Sequence, residues 1–348
     1  MNVIASAMHP TRGTSKKSLG LLTAAALFAA SPAAAQAPTL AGKTVTMVIG
    51  SGTGGANDMW GRLVALHMNK HLPGRPNVIP QNMPGGGGMN AANHIYNIAQ
   101  KDGTALGIIV SSIALAPLTG ATGARFDAQK LTWVGTPTAQ TYACIAMATA
   151  QVKTFQDLLA KELIVGTSGV GSGPYIYPKG VNGLLGTKFK LVSGFPFASN
   201  VLLALERKEV DGVCQPLESV VTLRPDWIPD KKVNVLFLGG ARPKNEIKGA
   251  PFIADLARTP EEKQGIEFLF AGNNLGRPFI APPDMPAERV RMLRDAFMAT
   301  TKDPQFLADA ARQKLDVQPE TGENLDVLVR KIYGTPRSIV DRVTELIK

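Results

Sequence analysis

Short apolar runs recur along the chain, and each is bounded by glycine, proline or polar residues. Continuous apolar runs of this kind are typical of strands that are buried on both faces, as in a parallel sheet. They predict strands at Val45–Ile49, Val78–Ile79, Ala105–Val110, Leu163–Val165 and Phe189–Val192.

Helical patterns separate these runs. An apolar stripe at positions i, i+3, i+4 and i+7 predicts an amphipathic helix with a buried face formed by Trp60, Leu63, Val64 and His67. Thr154, with Asp157 three residues later, has the spacing of a capping box at a helix start. From Pro286 onward the chain is predicted to be helical. Repeated strand–helix units predict an α/β fold with binding loops at the carboxyl ends of the strands.

The N-terminal region has the parts of a secretory signal peptide. Arg12, Lys16 and Lys17 precede the apolar run Leu19–Ala30, which is too short to span a bilayer. The segment SPAAAQAP follows and supplies an Ala-x-Ala site, which predicts cleavage after Ala35. We therefore expect a soluble periplasmic protein, secreted through a cleaved signal peptide. The alternative is an alanine-rich tail without a targeting role.

Length and charge narrow the function classes. The chain has 348 residues, enough for two ordinary domains, and a formal net charge of +10. A basic surplus favours anionic small molecules through long-range attraction. The basic residues are scattered and do not interleave with aromatic residues, so neither nucleic acid nor a membrane surface is predicted as a partner.

The chain has two cysteines, Cys144 and Cys214. In an oxidising compartment they can form a disulfide, and otherwise they are two small buried thiols on separate strands. They lack the ligand spacing of a zinc site.

Glycines cluster after the first predicted strand. Gly50, Gly52 and Gly55 have the spacing G-x-G-x-x-G of a dinucleotide-binding loop. That site also needs an acidic residue about twenty positions later, but no Asp or Glu occurs between Asp58 and Asp102. No Gly-Lys-Ser/Thr follows, which argues against a Walker loop. The spacing is therefore interpreted as accidental.

A second glycine run, PGGGG, follows the second predicted strand and leads into another helix. Glycines ahead of a helix N-terminus let a ligand approach unpaired backbone N–H groups closely. Two such loops at neighbouring strand ends predict a cleft that binds a carboxylate through backbone amides. The alternative is that these glycines serve only tight turns.

At these loops the sequence resembles the Bug family of periplasmic solute receptors, the extracytoplasmic component of tripartite tricarboxylate transporters. One shared motif is G-G-x-x-D-x-x-x-R, from Gly54 to Arg62, and another is N-x-P-G-x-G, from Asn82 to Gly87. The resemblance continues through the Asp102-Gly103 pair and the segments IVGTSGVGSG, LALERKEVDG, RPFIAPPDMPAERVRMLRDAF and MATTKDPQFLADA. It covers nearly the whole chain after the predicted cleavage site.

The resemblance implies an α/β, two-domain periplasmic binding protein fold of type II, with two crossover strands and a ligand cleft between the domains. Domain 1 would comprise residues 36–138 and 236–348, and the inserted domain 2 residues 139–235. The protein would not be an enzyme and would use no cofactor, metal or catalytic residue. It would capture a small organic carboxylate as a monomer and deliver it to a permease with a large and a small membrane subunit.

Carried over by residue, the resemblance implies ligand contacts in the first loop from Ser51, Gly54, Gly55 and Ala56. Asp58 would act as helix cap or contact an ordered water at the ligand site. Ser51 stands where the family usually has a bulky residue, which leaves that wall of the pocket open to question. A second loop would face the first across the cleft through Thr167, Ser168, Gly171 and Ser172. Phe195 would form an apolar wall or pack in the core, and Ser111 is a further candidate.

A metal site and two other functions are the alternatives to this interpretation. His67 and His71 are four residues apart on a predicted helix, as metal ligands can be, but no acidic residue accompanies them in sequence. One alternative function is a ligand-sensing receptor for a membrane signalling protein, and another is a nucleotide-dependent α/β enzyme.

Overall fold

The computed structural model describes residues 39–167, 172–195, 198–243 and 247–348. The predicted signal peptide and its cleavage site lie outside these residues. Two β-sheets with helices packed around them make up the described chain, which confirms the predicted α/β class.

The first sheet contains strands from both ends of the described chain: β1 (Thr44–Ile49), β2 (Asn77–Asn82), β3 (Ala105–Ile108), β4 (Thr132–Thr136), β10 (Phe279–Ala281) and β11 (Glu320–Thr321). Their order across the sheet is β11-β4-β10-β3-β1-β2. β1 is parallel to β2 and β3, as predicted, whereas β10 and β11 are antiparallel to their neighbours. The helical prediction for the C-terminal part is wrong at β11, because a strand of 2 residues leaves no readable period.

The second sheet consists of β5 (Thr141–Met147), β6 (Leu163–Thr167), β7 (Phe189–Ser193), β8 (Gly212–Pro216) and β9 (Val233–Gly240). Their order is β7-β6-β8-β5-β9. β6 is parallel to β7 and β8, and β5 is antiparallel to β8 and β9. The chain enters this sheet between Thr136 and Thr141 and leaves it after Gly240.

The α-helices of the described residues are α1 (Ala56–Met68), α2 (Met89–Asn97), α3 (Phe155–Ala160), α4 (Gly173–Leu185), α5 (Ala198–Glu206), α6 (Leu217–Leu223), α7 (Pro260–Leu275), α8 (Ala287–Lys302), α9 (Pro304–Arg312), α10 (Gly322–Tyr333) and α11 (Arg337–Ile347). Among them, none combines the length and the apolar character that a membrane span requires. We call the first sheet with α1, α2, α8 and α9 the first lobe, and the second sheet with α3 to α6 the second lobe.

Helix α1 packs on the first sheet through the predicted stripe. Trp60, Leu63 and Val64 are buried in a core shared with β1, α8 and α9. Gly61 lies so close to the sheet that a Cβ there would be 2.9 Å from Cδ1 of Ile49. The small residue therefore lets α1 approach β1, and this fixes the position of the glycine loop that joins them.

One local prediction is confirmed in the second lobe. At the start of α3, the Thr154 hydroxyl accepts the Asp157 N–H at 3.1 Å, and the Asp157 carboxylate accepts the Thr154 N–H at 3.1 Å. This is the predicted capping box.

Of the two alternatives for the cysteines, the disulfide is formed. Cys144 of β5 and Cys214 of β8 face each other in antiparallel register, are buried, and close a loop with a sequence separation of 70. In the chain-entropy account, a loop of this length contributes about 4 kcal/mol to the free energy of unfolding.

Candidate functional site

The first glycine loop connects β1 to α1 and is exposed from Gly52 to Gly55. A Cβ added at Gly52 or Gly54 would meet no atom within 4 Å, and one at Gly55 would meet only the Gly52 carbonyl oxygen, at 3.8 Å. Gly55 is the N-cap of α1, with an ordinary extended backbone (φ −81°). Packing therefore does not require glycine at Gly52 or Gly55, and the lack of side chains leaves the start of α1 open.

The start of α1 is a suitable place for an anion. The first N–H groups of an α-helix have no partner inside the helix, and the helix dipole adds a partial positive charge there. A carboxylate that approaches over Gly54, Gly55 and Ala56 meets these donors without a side chain in its way. Ser51, at the beginning of the loop, is half-buried and its carbonyl oxygen accepts a hydrogen bond from Asn82 at 3.0 Å.

Asp58 holds this loop through a set of hydrogen bonds that we call the brace. Its carboxylate accepts hydrogen bonds from the Gly54 N–H at 2.9 Å, from Arg62 Nε at 2.9 Å and from Asn82 Nδ2 at 2.8 Å. Burial by itself raises the pKa of Asp58, but these hydrogen bonds outweigh it and lower the pKa below the usual value. The helix cap is Gly55, so the expected capping role of Asp58 is replaced by a tie between α1, the loop and β2.

The second glycine loop, Gly85 to Gly88, follows β2 and leads into α2. All four glycines have positive φ, at 119°, 57°, 65° and 102° in chain order. A Cβ at Gly88 would lie 3.3 Å from the carbonyl oxygen of Gly50, so the two loops touch at the edge of the sheet. Glycine is needed here for backbone conformation.

Arg277 joins the first lobe to the second. It lies between α7 and β10, and its backbone N–H donates to Oγ1 of Thr136 at 3.0 Å. Its buried guanidinium donates from Nη1 to Oδ1 of Asn57 at 2.9 Å and from Nη2 to the carboxylate of Glu218. Asn57 belongs to the first turn of α1 and Glu218 to the first turn of α6. One side chain therefore forms hydrogen bonds to the first turn of a helix from each lobe.

Two tyrosines line the second-lobe side of this region. Tyr142 and Tyr177 meet edge to face with ring centroids 4.4 Å apart, and Tyr177 stacks on Phe270 at 4.4 Å. The Tyr177 hydroxyl donates to Oδ1 of Asn273 at 3.0 Å. Burial raises the pKa of Tyr177 to about 12, and burial also raises the pKa of Tyr142 well above its usual value. Both rings are therefore neutral hydrogen-bonding groups at physiological pH.

The Tyr142 hydroxyl marks where this aromatic pair meets the second predicted loop. The hydroxyl fills the space that a Cβ at Gly173 would need. Gly173 is the first residue of α4, and Ser172 before it is the N-cap of that helix. Ser168 and Gly171 lie outside the described residues. Thr167 ends β6, is fully buried, and its hydroxyl is 3.0 Å from that of Ser193.

The two remaining predicted residues pack against other parts of the chain. Phe195 lies against Gly166, within 3.4 Å of a Cβ built there, and belongs to the apolar cluster of the second lobe. Ser111 is buried at the start of a short 3₁₀ turn (Ser111–Leu115), and its carbonyl oxygen lies 3.4 Å from a Cβ built at Gly272 of α7. The structure therefore groups the first-loop residues together, whereas Thr167 and Phe195 sit at the ends of second-sheet strands and Ser111 lies under α7.

His67 of α1 and His71, which follows the end of that helix, pair with acidic residues. His67 Nε2 lies 2.8 Å from Oδ2 of Asp309, and His71 Nε2 lies 3.0 Å from Oδ2 of Asp303. These acidic partners come from α9 and its N-cap, more than 200 positions away in the chain. Within the described part of the chain, no group of three or more metal-ligating side chains is found.

Sequence reasoning did not single out Asn57, Tyr142, Glu218 or Arg277. For Arg277 one signal was present: a charged residue between Gly276 and Pro278, directly ahead of the buried strand β10. Its partners cannot be read from the sequence, because Asn57 is 220 positions away.

Comparison with solved structures settles the architecture. A TctC solute-binding protein from Polaromonas superposes with a TM-score of 0.67 at 18% identity, over 86% of this chain and 98% of that chain. The chain has the two-domain α/β fold of solute-binding proteins.

Two further structures share the solute-binding-protein fold. An R. palustris protein with adipate gives a TM-score of 0.59 at 18% identity, over 86% of this chain and 97% of that chain. MatC from Rhodopseudomonas palustris with bound malate gives 0.56 at 20% identity, over 88% and 99% of the two chains. No protein-family model and no curated protein sequence matches the chain.

Proposed function

We propose that the protein is a Bug-type solute receptor that captures a small organic carboxylate in the cleft between its lobes. The observation that carries this proposal is the first glycine loop. Gly52 and Gly55 have room for a side chain and a backbone that other residues adopt, yet both are glycine and exposed. Glycine at such positions keeps a helix N-terminus accessible to a ligand.

The charges around the loop support an anionic ligand. Asp58 is the acidic group nearest to the loop along the chain, and its carboxylate is occupied by Arg62, Asn82 and the Gly54 N–H. Arg277 brings a buried cation to Asn57, one residue beyond Ala56. Two solved proteins with the same fold hold adipate and malate, and both ligands are carboxylates.

The proposal extends to cellular context and domain organisation. The protein is secreted through its signal peptide, works as a monomer in the periplasm, and delivers its ligand to a permease with a large and a small membrane subunit. It is a binding protein and not an enzyme. The inserted domain is proposed to span residues 139–235, and the pairing of β9 with β5, which continues as far as Gly240, supports an inserted domain in this part of the chain.

A ligand panel read by thermal unfolding tests this function. A ligand that binds only the folded state at a hundredfold excess over Kd stabilises it by about 2.7 kcal/mol. For a chain of this size, that corresponds to a rise in Tm of roughly 5 °C or more. We expect such a rise with at least one small mono- or dicarboxylate and none with NAD, NADP, FAD or ATP.

The opposite pattern rejects the proposal. A clear rise in Tm with a dinucleotide, together with no response across the carboxylates, would favour a nucleotide-dependent enzyme. A signalling receptor binds the same ligands, so the transport role needs its own measurement. Uptake of the bound carboxylate should stop when the gene is deleted and return when it is restored.

A further inference from the structure

Three parts of the fold meet at the Arg277 guanidinium. Asn57 comes from the start of α1 in the first lobe, Glu218 from the start of α6 in the second lobe, and Arg277 itself from the connection between α7 and β10. The Arg277 side chain is 11% exposed and that of Glu218 is 35% exposed. Of the two groups, the guanidinium is therefore the more deeply buried and the carboxylate the more open to solvent.

The guanidinium has hydrogen-bonding capacity to spare. It has five N–H donors in a fork that matches a carboxylate, and Asn57 and Glu218 accept from Nη1 and Nη2. Nε is buried, and among the described residues it has no hydrogen-bond partner. A buried donor without a partner is costly, so the arrangement around Arg277 is incomplete in this conformation.

The position of this cation bears on ligand charge. Asn57 follows Gly55 and Ala56 in the chain and accepts from the guanidinium, so Arg277 is bonded to the same helix start whose amides are proposed to hold the first carboxylate of a ligand. Glu218 places a negative group on the same cation. A second ligand carboxylate that reached Arg277 would repel Glu218, whose partial exposure lets it turn toward water.

We propose that Arg277 is the specificity-determining residue for a second carboxylate on the ligand, and that Glu218 occupies Arg277 until that carboxylate displaces it. This inference rests on the proposed function and concerns how the same site distinguishes ligands with two carboxylates from ligands with one. Glu218 acts as an internal competitor: it neutralises the buried cation in the free protein and yields it when a dicarboxylate binds.

The test uses calorimetry to compare the affinity for a dicarboxylate with the affinity for the monocarboxylate of equal carbon number. The ligand pairs run from succinate and butyrate to adipate and hexanoate. The variant Glu218→Gln removes the competing charge and keeps the side-chain shape. We expect it to bind dicarboxylates about tenfold more tightly, a gain of about 1.4 kcal/mol, and monocarboxylates within about threefold of the wild type.

A double variant isolates the role of Arg277. Arg277→Gln combined with Glu218→Gln removes the cation without leaving an unpaired carboxylate in the cleft. We expect its preference for dicarboxylates over monocarboxylates to fall to less than about threefold. If this variant does not fold, Glu218→Gln alone decides, because it keeps the Arg277 bond to Asn57.

Glu206→Gln is the matched control, since Glu206 pairs with Arg224 between α5 and α6 in a more exposed ion pair. It should bind every ligand as the wild type does. Unchanged or weaker dicarboxylate binding in Glu218→Gln overturns the inference. A dicarboxylate preference that survives in the double variant overturns it as well. Either result leaves the proposed function standing. If neither the wild type nor Glu206→Gln binds any carboxylate, both the inference and the proposed function are overturned.

Discussion

The two glycine loops of the first lobe follow neighbouring parallel strands and precede helices, but they differ in what would surround a side chain. In the first loop, Gly52 and Gly55 have open space and ordinary backbone angles. In the second loop, all four glycines have positive φ, and a Cβ at Gly85 would overlap the amide of Asn90. Glycine gives access at Gly52 and Gly55, whereas Gly54 (φ 80°) and the four glycines of the second loop serve backbone conformation.

This difference gives a test for binding loops in general. A glycine that its backbone requires is explained by the fold and needs no ligand. A glycine that neither its backbone angles nor its neighbours require, at the exposed start of a helix, has a different explanation, which is the approach of another molecule. The comparison therefore assigns the proposed carboxylate contact to the first loop, and the second loop supports it through the contact between Gly88 and Gly50.

The largest expected effect comes from Gly55→Val. The valine side chain enters open space above the first turn of α1, so it blocks the amides without disturbing packing. We expect ligand affinity to fall at least about a hundredfold, or about 2.7 kcal/mol, whereas the free energy of unfolding should fall by only about 1 kcal/mol, because valine is a poorer helix N-cap than glycine. Calorimetry gives the first quantity and urea unfolding the second. Normal binding, or an unfolded variant, would make Gly55 a turn residue.

Gly85→Ala should show the opposite pattern. Gly85 has φ 119° and ψ 150°, a region that residues with a Cβ rarely adopt, so alanine strains the loop. We expect the free energy of unfolding to fall by about 2 kcal/mol while affinity stays within about threefold of the wild type. The same two measurements apply. A loss of binding at unchanged stability would make the second loop a ligand contact and remove the distinction.

A smaller effect is expected from Asp58→Asn, which keeps the shape of the brace but removes its charge. The partner Arg62 is partly exposed, so solvent screening limits the loss. We expect the free energy of unfolding to fall by about 1 kcal/mol and affinity to fall about fivefold. Asp102→Asn, which removes a carboxylate paired with Lys43 elsewhere on the first lobe, should leave affinity unchanged.

The pH dependence gives the finest test of the first loop. The pKa of Asp58 is below its usual value of 3.8 in the folded protein, so the unfolded chain binds the proton more readily. The contribution of Asp58 to stability is therefore present above about pH 3.8 and is lost as the pH falls through the folded pKa. In melts between about pH 5 and pH 2, Asp58→Asn should lose less stability than the wild type does. Equal losses would contradict the brace.

Features that depend on neighbouring residues could be predicted from the sequence in both lobes. Strand β1, helix α1 with Trp60 on its buried face, and the capping box at Thr154 depend on residues close together in the chain, and all three are found. The two glycine loops looked equivalent, because the sequence records a glycine but not the φ that it adopts.

The contacts of Arg277 with Asn57 and Glu218 could not be predicted for a different reason. Arg277 and Asn57 are 220 positions apart, and Arg277 and Glu218 are 59 apart. No local pattern relates them, since their meeting depends on how the connection after α7 runs between the lobes. The same holds for the antiparallel pairing of β5 with β9 in the second sheet, because the two strands are also far apart in the chain.

The bond between Cys144 and Cys214 turns part of the second lobe into a covalent ring. Strands β6 and β7 and helices α3 to α5 all lie on the chain between these two cysteines. A protease that cuts once inside the ring therefore releases no fragment: the nicked protein runs as one band on a gel without reductant and separates into two pieces when thiol is added. A cut outside the ring releases a fragment under either condition, so a pair of gels tells an observer on which side of the ring the exposed peptide bond lies.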